Sequence, residues 1–292
     1  MARLKLHDVT LVAADCLNPR VALWSFERSL EQCEFAAAIL FTDAESADSV
    51  ADYAHRLAVQ IVPIPKIDSR EKYSNFIMRD LYSRFATEFV LITQWDSFVL
   101  SAGSWQSIFR QYDYLGARWV HYTDGLTVGN GGFSLRSRSL MAALQAEAFP
   151  PNHPEDEVIC RDYRRRLEED YDLVFAEERL ADDFAAERAY PAPGHPSSFG
   201  FHGAFNLYRV LTPVQLAEFL PLLQPSSLVA RDMMELLLGY CQAGRWGEAR
   251  LLKSFQDRVI SQAEFDSRLA FLVPSTSIRQ AILRMVDSEP IV

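Results

Sequence analysis

Over the first hundred residues, short β-branched runs alternate with segments of helical period, and this alternation constrains the fold more than any other feature. Asp8 to Ala14 reads as a strand closing at Asp15, and Asn18-Pro19 offers an N-cap and a first-turn proline for a helix to about Gln32. Phe35 to Phe41 reads as a second strand running into Thr42-Asp43, Ser46 to Leu57 as a helix, and Val59 to Ile64 as a short strand. Lys72 to Phe85 places Phe76, Ile77, Leu81, Tyr82 and Phe85 at helical spacing. The apolar run from Phe89 then predicts a buried strand ending at Asp96. Strands separated by helices need crossovers, so the pattern predicts an α/β fold with a mixed, mainly parallel sheet flanked by helices.

Beyond residue 100 the rhythm changes. Tyr112 to Ala117 and Val128 to Arg136 read as strands around a loop, and Ser137 to Glu147 and Glu155 to Glu169 as helices. Pro191 to Ser198 reads as a loop able to order over a ligand, with His195 inside it. From Thr212 onward the signals are helical. The expected division is therefore residues 1–211 as the α/β domain and 212–292 as a helical appendage. Leu228 to Cys241 and Trp246 to Gln256 resemble one tetratricopeptide-type hairpin turning at Gly244; a single such unit cannot bury its own face, and no fixed-period repeat accompanies it. These helices are the expected surface for any homo-oligomer.

Hydrophobic residues make up 49% of the 292 and charged ones 23%, enough apolar surface for a sizeable core. The net charge of −10 argues against a nucleic-acid partner. The four cysteines, Cys16, Cys33, Cys160 and Cys241, are scattered without metal-ligand spacing and read as free thiols. Met1 to Asp8 lacks the apolar core of a signal peptide and no run reaches the length of a transmembrane segment, so a cytoplasmic protein is expected.

Four places carry residues suited to chemistry. Asp96 follows a buried run, where ligands sit in open α/β sheets; it either caps a turn or helps hold a divalent cation on a diphosphate. Gly129-Asn130-Gly131-Gly132 opens a strand and marks either a bulge or a place where a ligand approaches the backbone; no phosphate-loop lysine is present. Glu155-Asp156-Glu157 opens a helix, where acidic residues favour the macrodipole; equally, one of these carboxylates is suited to accept a hydroxyl proton, and the segment alone does not say which. His202, between Phe201 and Gly203, is either a packed histidine or a ligand for metal or phosphate.

The order of these elements resembles a family of bacterial and fungal glycosyltransferase-like domains and, more distantly, the β-1,4-galactosyltransferase group. The resemblance spans roughly Asp8 to Asn206 and rests on Asp8-Val9-Thr10-Leu11-Val12, Gln94-Trp95-Asp96, Tyr112 to Trp119, Gly129 to Arg138, Glu155-Asp156 and Phe199-Gly200-Phe201-His202. It implies a GT-A fold that binds a nucleotide-sugar donor, with a glycan or glycoconjugate acceptor beside it and polysaccharide biosynthesis as its setting. It further implies that Asp96 and His202 bind Mn2+ or Mg2+, although Gln94 stands where the family's Asp-x-Asp motif has its first carboxylate. Asp156 would be the base of an inverting transfer, and Glu155 would contact a sugar hydroxyl. Asn130, Gly131 and Gly132 would line the donor sugar and acceptor, with Gln94 and Trp95 near the donor. Trp119 and Phe133 would be stacking platforms for sugar rings. Ala13, Asp15 and Asp43 close the first two strands, where such folds contact base and ribose, and Lys72 and Tyr73 would reach phosphate and base. Two other readings compete: a nucleotidyltransferase, for which Ala13-Ala14-Asp15-Cys16 lacks the glycine-rich basic loop, and a non-catalytic glycan- or partner-binding protein.

Overall fold

A computed structural model describes residues 3–188 and 196–287. The Pro191–Ser198 loop therefore lies mostly outside the described residues, and His195 wholly so. The described chain divides into two compact units, the first ending at His202 and the second running on from Gly203.

In the first unit, β1 (Leu4–Ala14), α1 (Pro19–Gln32), β2 (Cys33–Thr42), α2 (Ala44–Leu57), β3 (Gln60–Pro63), α3 (Arg70–Asn75) and β4 (Phe89–Thr93) follow one another. Then come β5 (Phe98–Val99), β6 (Tyr114–Arg118), β7 (Val128–Ser137), α4 (Arg138–Ala143), α5 (Glu155–Glu157), α6 (Arg164–Tyr171), α7 (Glu178–Phe184), β8 (Ala185–Ala186) and β9 (Gly200–Phe201). The main sheet has the order β3-β2-β1-β4-β7-β6. The first four strands are parallel, with Leu11 opposite both Ala38 and Leu91, while β7 runs antiparallel to β4 and to β6. This is the mixed, mainly parallel sheet flanked by helices that the sequence pattern predicts. Every residue of β4 and β7 is buried, as central strands covered on both faces must be.

The elements differ from expectation where local side chains compete for the backbone. β4 stops at Thr93, before Asp96, because the Gln94 amide donates to Ser97 Oγ (2.8 Å) and the Ser97 amide to the Gln94 carbonyl (3.2 Å), closing a turn. Asn18 occupies the N-cap of α1, but Asp15 Oδ1 accepts the amides of Leu17 (2.8 Å) and Asn18 (2.6 Å). The predicted helix over 72–85 is α3, a π-helical turn at Phe76–Asp80 and a 3-10 turn at Leu81–Arg84. The predicted helix over 155–169 is likewise α5, a π-helical turn at Val158–Asp162 and α6. Phe175 makes one isolated parallel bridge, to Tyr114.

A small second sheet, β5-β9-β8, pairs Phe98 with Phe201 and sets His202 beside the Gln94–Ser97 turn. The second unit is helical: α8 (Leu207–Val210), α9 (Pro213–Phe219), α10 (Pro225–Leu228), α11 (Arg231–Gln242), α12 (Trp246–Gln256), α13 (Gln262–Leu272) and α14 (Thr276–Val286). α11 and α12 form the predicted hairpin, turning at Gly244 with φ 71°. Neighbours within the unit cover its face: Tyr208 meets Tyr240 edge-on, and Gln256 donates to the Leu228 carbonyl (3.0 Å). Among the described residues, no helix is long and apolar enough to cross a membrane.

Candidate active site

β1 leads through α1 to β2 on one side, while β4 lies on its other side, so the strand order reverses between β1 and β4. The carboxyl ends of strands flanking such a switch point form the ligand crevice of open α/β sheets. A cavity of about 440 Å³ lies there, walled by Ala13 to Asn18 after β1, Thr93 to Trp95 after β4, and Lys66 to Arg70 with Tyr73 at the entry to α3. The expected donor-side residues Ala13, Asp15, Tyr73, Gln94 and Trp95 thus come together. Asp43 and Lys72 do not line this cavity. Asp43 caps α2, accepting from the amide (3.2 Å) and hydroxyl (2.8 Å) of Ser46, and Lys72 pairs with Asp68 (2.7 Å). Lys66 and Arg70, which sequence reasoning did not single out, bring cations to the wall instead. Their only sequence signal is their place in the turn between a strand end and Tyr73.

Gln94 connects this cavity to a second cluster. Its amide donates to the Tyr73 hydroxyl (3.3 Å) and its carbonyl oxygen meets His202 Nε2 (3.2 Å). His202 Nε2 lies 3.7 Å from buried Asp96, while its Nδ1 lies 3.5 Å from Glu187. Asp96 and His202 are neighbours, as the resemblance implies. The two carboxylates nevertheless face opposite ring nitrogens, so the three side chains do not converge on one point. Among the described residues, no three His, Cys, Asp or Glu are grouped to hold a metal ion. The donor set is thus a histidine bracketed by carboxylates, which does not fit the expected metal shell.

The glycines of β7 open space for this machinery. Between Leu115/Leu135 and Ala117/Asn130, β6 and β7 fall out of register, so Gly131 and Gly132 sit in an irregular stretch beyond the end of β4. A Cβ on Gly132 would collide with the His202 imidazole, and one on Gly131 would come within 2.7 Å of Glu155 Oε1 and 2.9 Å of Arg136 Nη2. The room is taken by the protein's own side chains, which the sequence left open between bulge and ligand. Asn130 braces the stretch, donating to Glu187 (3.1 Å) and accepting the Gly132 amide (3.1 Å).

Arg136, the only fully buried arginine side chain among those in ion pairs of the described residues, donates to Glu155 Oε1 at 3.0 Å, with Glu155 itself 5% exposed. Its guanidinium lies over the Tyr114 ring at 4.8 Å. Glu155 is thus held inward by an arginine, where the resemblance implies a sugar contact. Asp156 is half-buried beside it, accepting the amides of Gly131 on Oδ2 and Glu157 on Oδ1, each at 2.9 Å. Burial pushes the Asp156 carboxyl up to about 7, and the Glu155 carboxylate adds to the rise against the pull of those amides and Arg136. Burial likewise raises Asp15 to about 6, its two backbone amides opposing and Asp96 adding.

Two expected stacking platforms are core residues instead. Phe133 is 0% exposed, packed against Phe184 and Phe199, and Trp119 is buried against Gly129 and edge-on to Tyr122. Neither offers a ring face to a sugar. Arg136 and Glu187 escaped sequence reasoning because their partners are distant in the chain. The sole hint for Arg136 was a cation inside an otherwise uncharged strand.

Several solved structures are similar to this chain. Mannosyltransferase PcManGT from Pyrobaculum calidifontis, in complex with GDP-Man and Mn2+, is 14% identical with a TM-score of 0.45, over 97% of this chain and 88% of that one. Glucosyl-3-phosphoglycerate synthase from Mycobacterium tuberculosis, in complex with Mn2+, UDP and glucosyl-3-phosphoglycerate, is 11% identical with a TM-score of 0.37, over 56% and 67%. A 4-diphosphocytidyl-2C-methyl-D-erythritol synthase from Anaerococcus prevotii DSM 20548 is 11% identical with a TM-score of 0.37, over 52% and 82%. A search of the curated proteins finds no match. Residues 56–202 match DUF5672, described as a protein of unknown function; they make up half of the sequence and contain the whole cluster around Asp156 and His202, and the chain belongs to this family.

Proposed function

We propose that the chain is a glycosyltransferase that moves a sugar from a nucleoside-diphosphate donor to a hydroxyl acceptor, with inversion. The observation that carries the reading is the cavity at the β1/β4 switch point, whose wall residue Tyr73 lies within electrostatic reach of the half-buried Asp156 carboxylate. The nucleotide would occupy the cavity, base and ribose against Ala13 to Asp15, with Lys66 and Arg70 supplying positive charge for phosphate. Asp156 would take the acceptor hydroxyl's proton as that oxygen attacks the anomeric carbon from one face. The bond from that carbon to the diphosphate oxygen would break on the other, the nucleoside diphosphate leaving with the electron pair and its charge met by Lys66 and Arg70. A carboxylate with its affinity for protons raised toward neutrality is a better base than an exposed one, yet is still ionised in good part at physiological pH. Two backbone amides, of Gly131 and Glu157, hold its two oxygens in place, which supports this reading.

Isothermal titration with a panel of nucleoside diphosphates and nucleotide sugars, with and without Mn2+, tests the reading. At least one is expected to bind, and Lys66→Ala with Arg70→Ala to weaken it about tenfold, the loss of two exposed charge contacts. Absence of binding across the panel overturns the proposal.

A further inference from the structure

We propose that Arg136 and Glu155 are positioning residues for Asp156: their buried ion pair fills the space that Gly131 vacates and fixes Asp156 on the Gly131 amide, poised as a base. The inference rests on the reading of Asp156 as the base and adds what sets its readiness. Its foundation is geometric. Arg136 is 0% exposed and anchored on three sides, by Glu155 (3.0 Å), by Ser134 Oγ (3.1 Å) and by the Tyr114 hydroxyl (3.3 Å). Glu155 precedes Asp156 directly in the first turn of α5, so fixing one carboxylate fixes the backbone of the other. Gly131 is the hinge of the arrangement: its missing side chain admits the pair, and its amide holds Asp156.

The charges around Asp156 explain why an ion pair serves here better than an apolar plug. Glu155 beside it, with Tyr73 from α3, Tyr114 from β6 and Cys160 from the following turn, faces the same cluster, and the Arg136 cation opposes the rise. Glu155 is paired with Arg136 at 3.0 Å, and its negative charge beside Asp156 makes ionisation of Asp156 harder. Arg136 spends most of its attraction on Glu155 at 3.0 Å, so Asp156 keeps a high affinity for protons without losing its place. Removing the Glu155 charge alone, with Arg136 left in place, should therefore lower the proton affinity of Asp156.

The test is the pH profile of turnover for the wild type, Glu155→Gln and the double variant Arg136→Met/Glu155→Gln, alongside carbon-13 NMR titration of the Asp156 carboxyl assigned by its loss in Asp156→Asn. The double variant replaces a buried pair by neutral groups of similar volume, an exchange often tolerated by the fold. Expected is a downward move of the acidic limb and of the NMR midpoint by about one pH unit in Glu155→Gln, and a smaller downward move in the double variant, where two opposing charges are removed together. An unmoved midpoint in a folded Glu155→Gln variant overturns the positioning role. If Asp156→Asn keeps wild-type turnover, the base reading fails by itself, and the NMR midpoint still decides the positioning role independently of turnover.

Discussion

Arg136 and Lys253 are both cations folded into the interior, one in each unit, and they are held in opposite ways. Lys253, its side chain 3% exposed, reaches outward to Asp257 (2.5 Å) and Asp287 (3.5 Å), both close to half exposed, and to Gln262 (3.0 Å), with the Phe265 ring at 4.4 Å. Its counter-charges remain in water, so the pairing ties a helix surface together and perturbs little. Arg136 reaches inward to Glu155, 5% exposed, and a second carboxylate, Asp156, crowds against the first. Crowding like charges away from water is costly, and a fold retains such an arrangement where it is used. The same ingredient is a fastening in one unit and a tuned electrostatic environment in the other.

The largest effect that sharpens this contrast is Asp156→Asn. Turnover is expected to fall about 10²- to 10⁴-fold, the usual contribution of a general base, with nucleotide affinity by titration calorimetry unchanged. Wild-type turnover would remove the functional half of the comparison. Next is Arg136→Met, which strands Glu155 as a buried, unpaired carboxylate; a loss of roughly 3 kcal/mol is expected in urea denaturation. Third is pH. Asp156 sits at about 7 in the folded chain against an ordinary value of 3.8, so its folded form favours the protonated state. Its contribution to stability is therefore fully present below pH 3.8 and is lost as pH rises through 7. Stability by urea denaturation is expected to fall between pH 5 and pH 8 by on the order of 2 kcal/mol, allowing for partial solvent exposure, and the slope to flatten in Asp156→Asn. Asp15, raised to about 6, adds a smaller loss of the same sign. The smallest effect is Lys253→Met: because the carboxylates left behind are already hydrated, a change within about 1 kcal/mol is expected. A loss as large as that of Arg136→Met would erase the distinction.

The parts legible from sequence were those governed by neighbours in the chain. The β-branched runs of β1, β2 and β4 and the helical spacing of Phe76, Ile77 and Leu81 are local patterns, and they led to the correct sheet. Glu155-Asp156, Gly131-Gly132, Gln94 and His202 were likewise visible as unusual residues, and the fold does gather them. What sequence could not supply was pairing across distance. Asp96 looked like a strand end because the Ser97 hydroxyl that closes the turn leaves no periodic trace. Phe133 looked available to a sugar because nothing local announces that Phe184 and Phe199 cover it. Glu187 and Arg136 gained meaning only once β-strand register placed them beside His202 and Glu155.

The two π-helical turns have a consequence for how this chain tolerates length changes. Each follows a site-bearing first turn, Tyr73 before Phe76–Asp80 and Asp156 before Val158–Asp162, and each buries three residues in succession, Phe76-Ile77-Met78 and Val158-Ile159-Cys160. A wide turn holds one residue more than an α-helical one, so it acts as a phase shifter between the part aimed at the crevice and the part aimed at the core. Deleting one residue there would restore a regular helix and rotate the two parts against each other by about 100°, the angle of one residue. The core would keep its grip, and Tyr73 or Asp156 would point elsewhere; these two segments therefore set the frame in which the site is read.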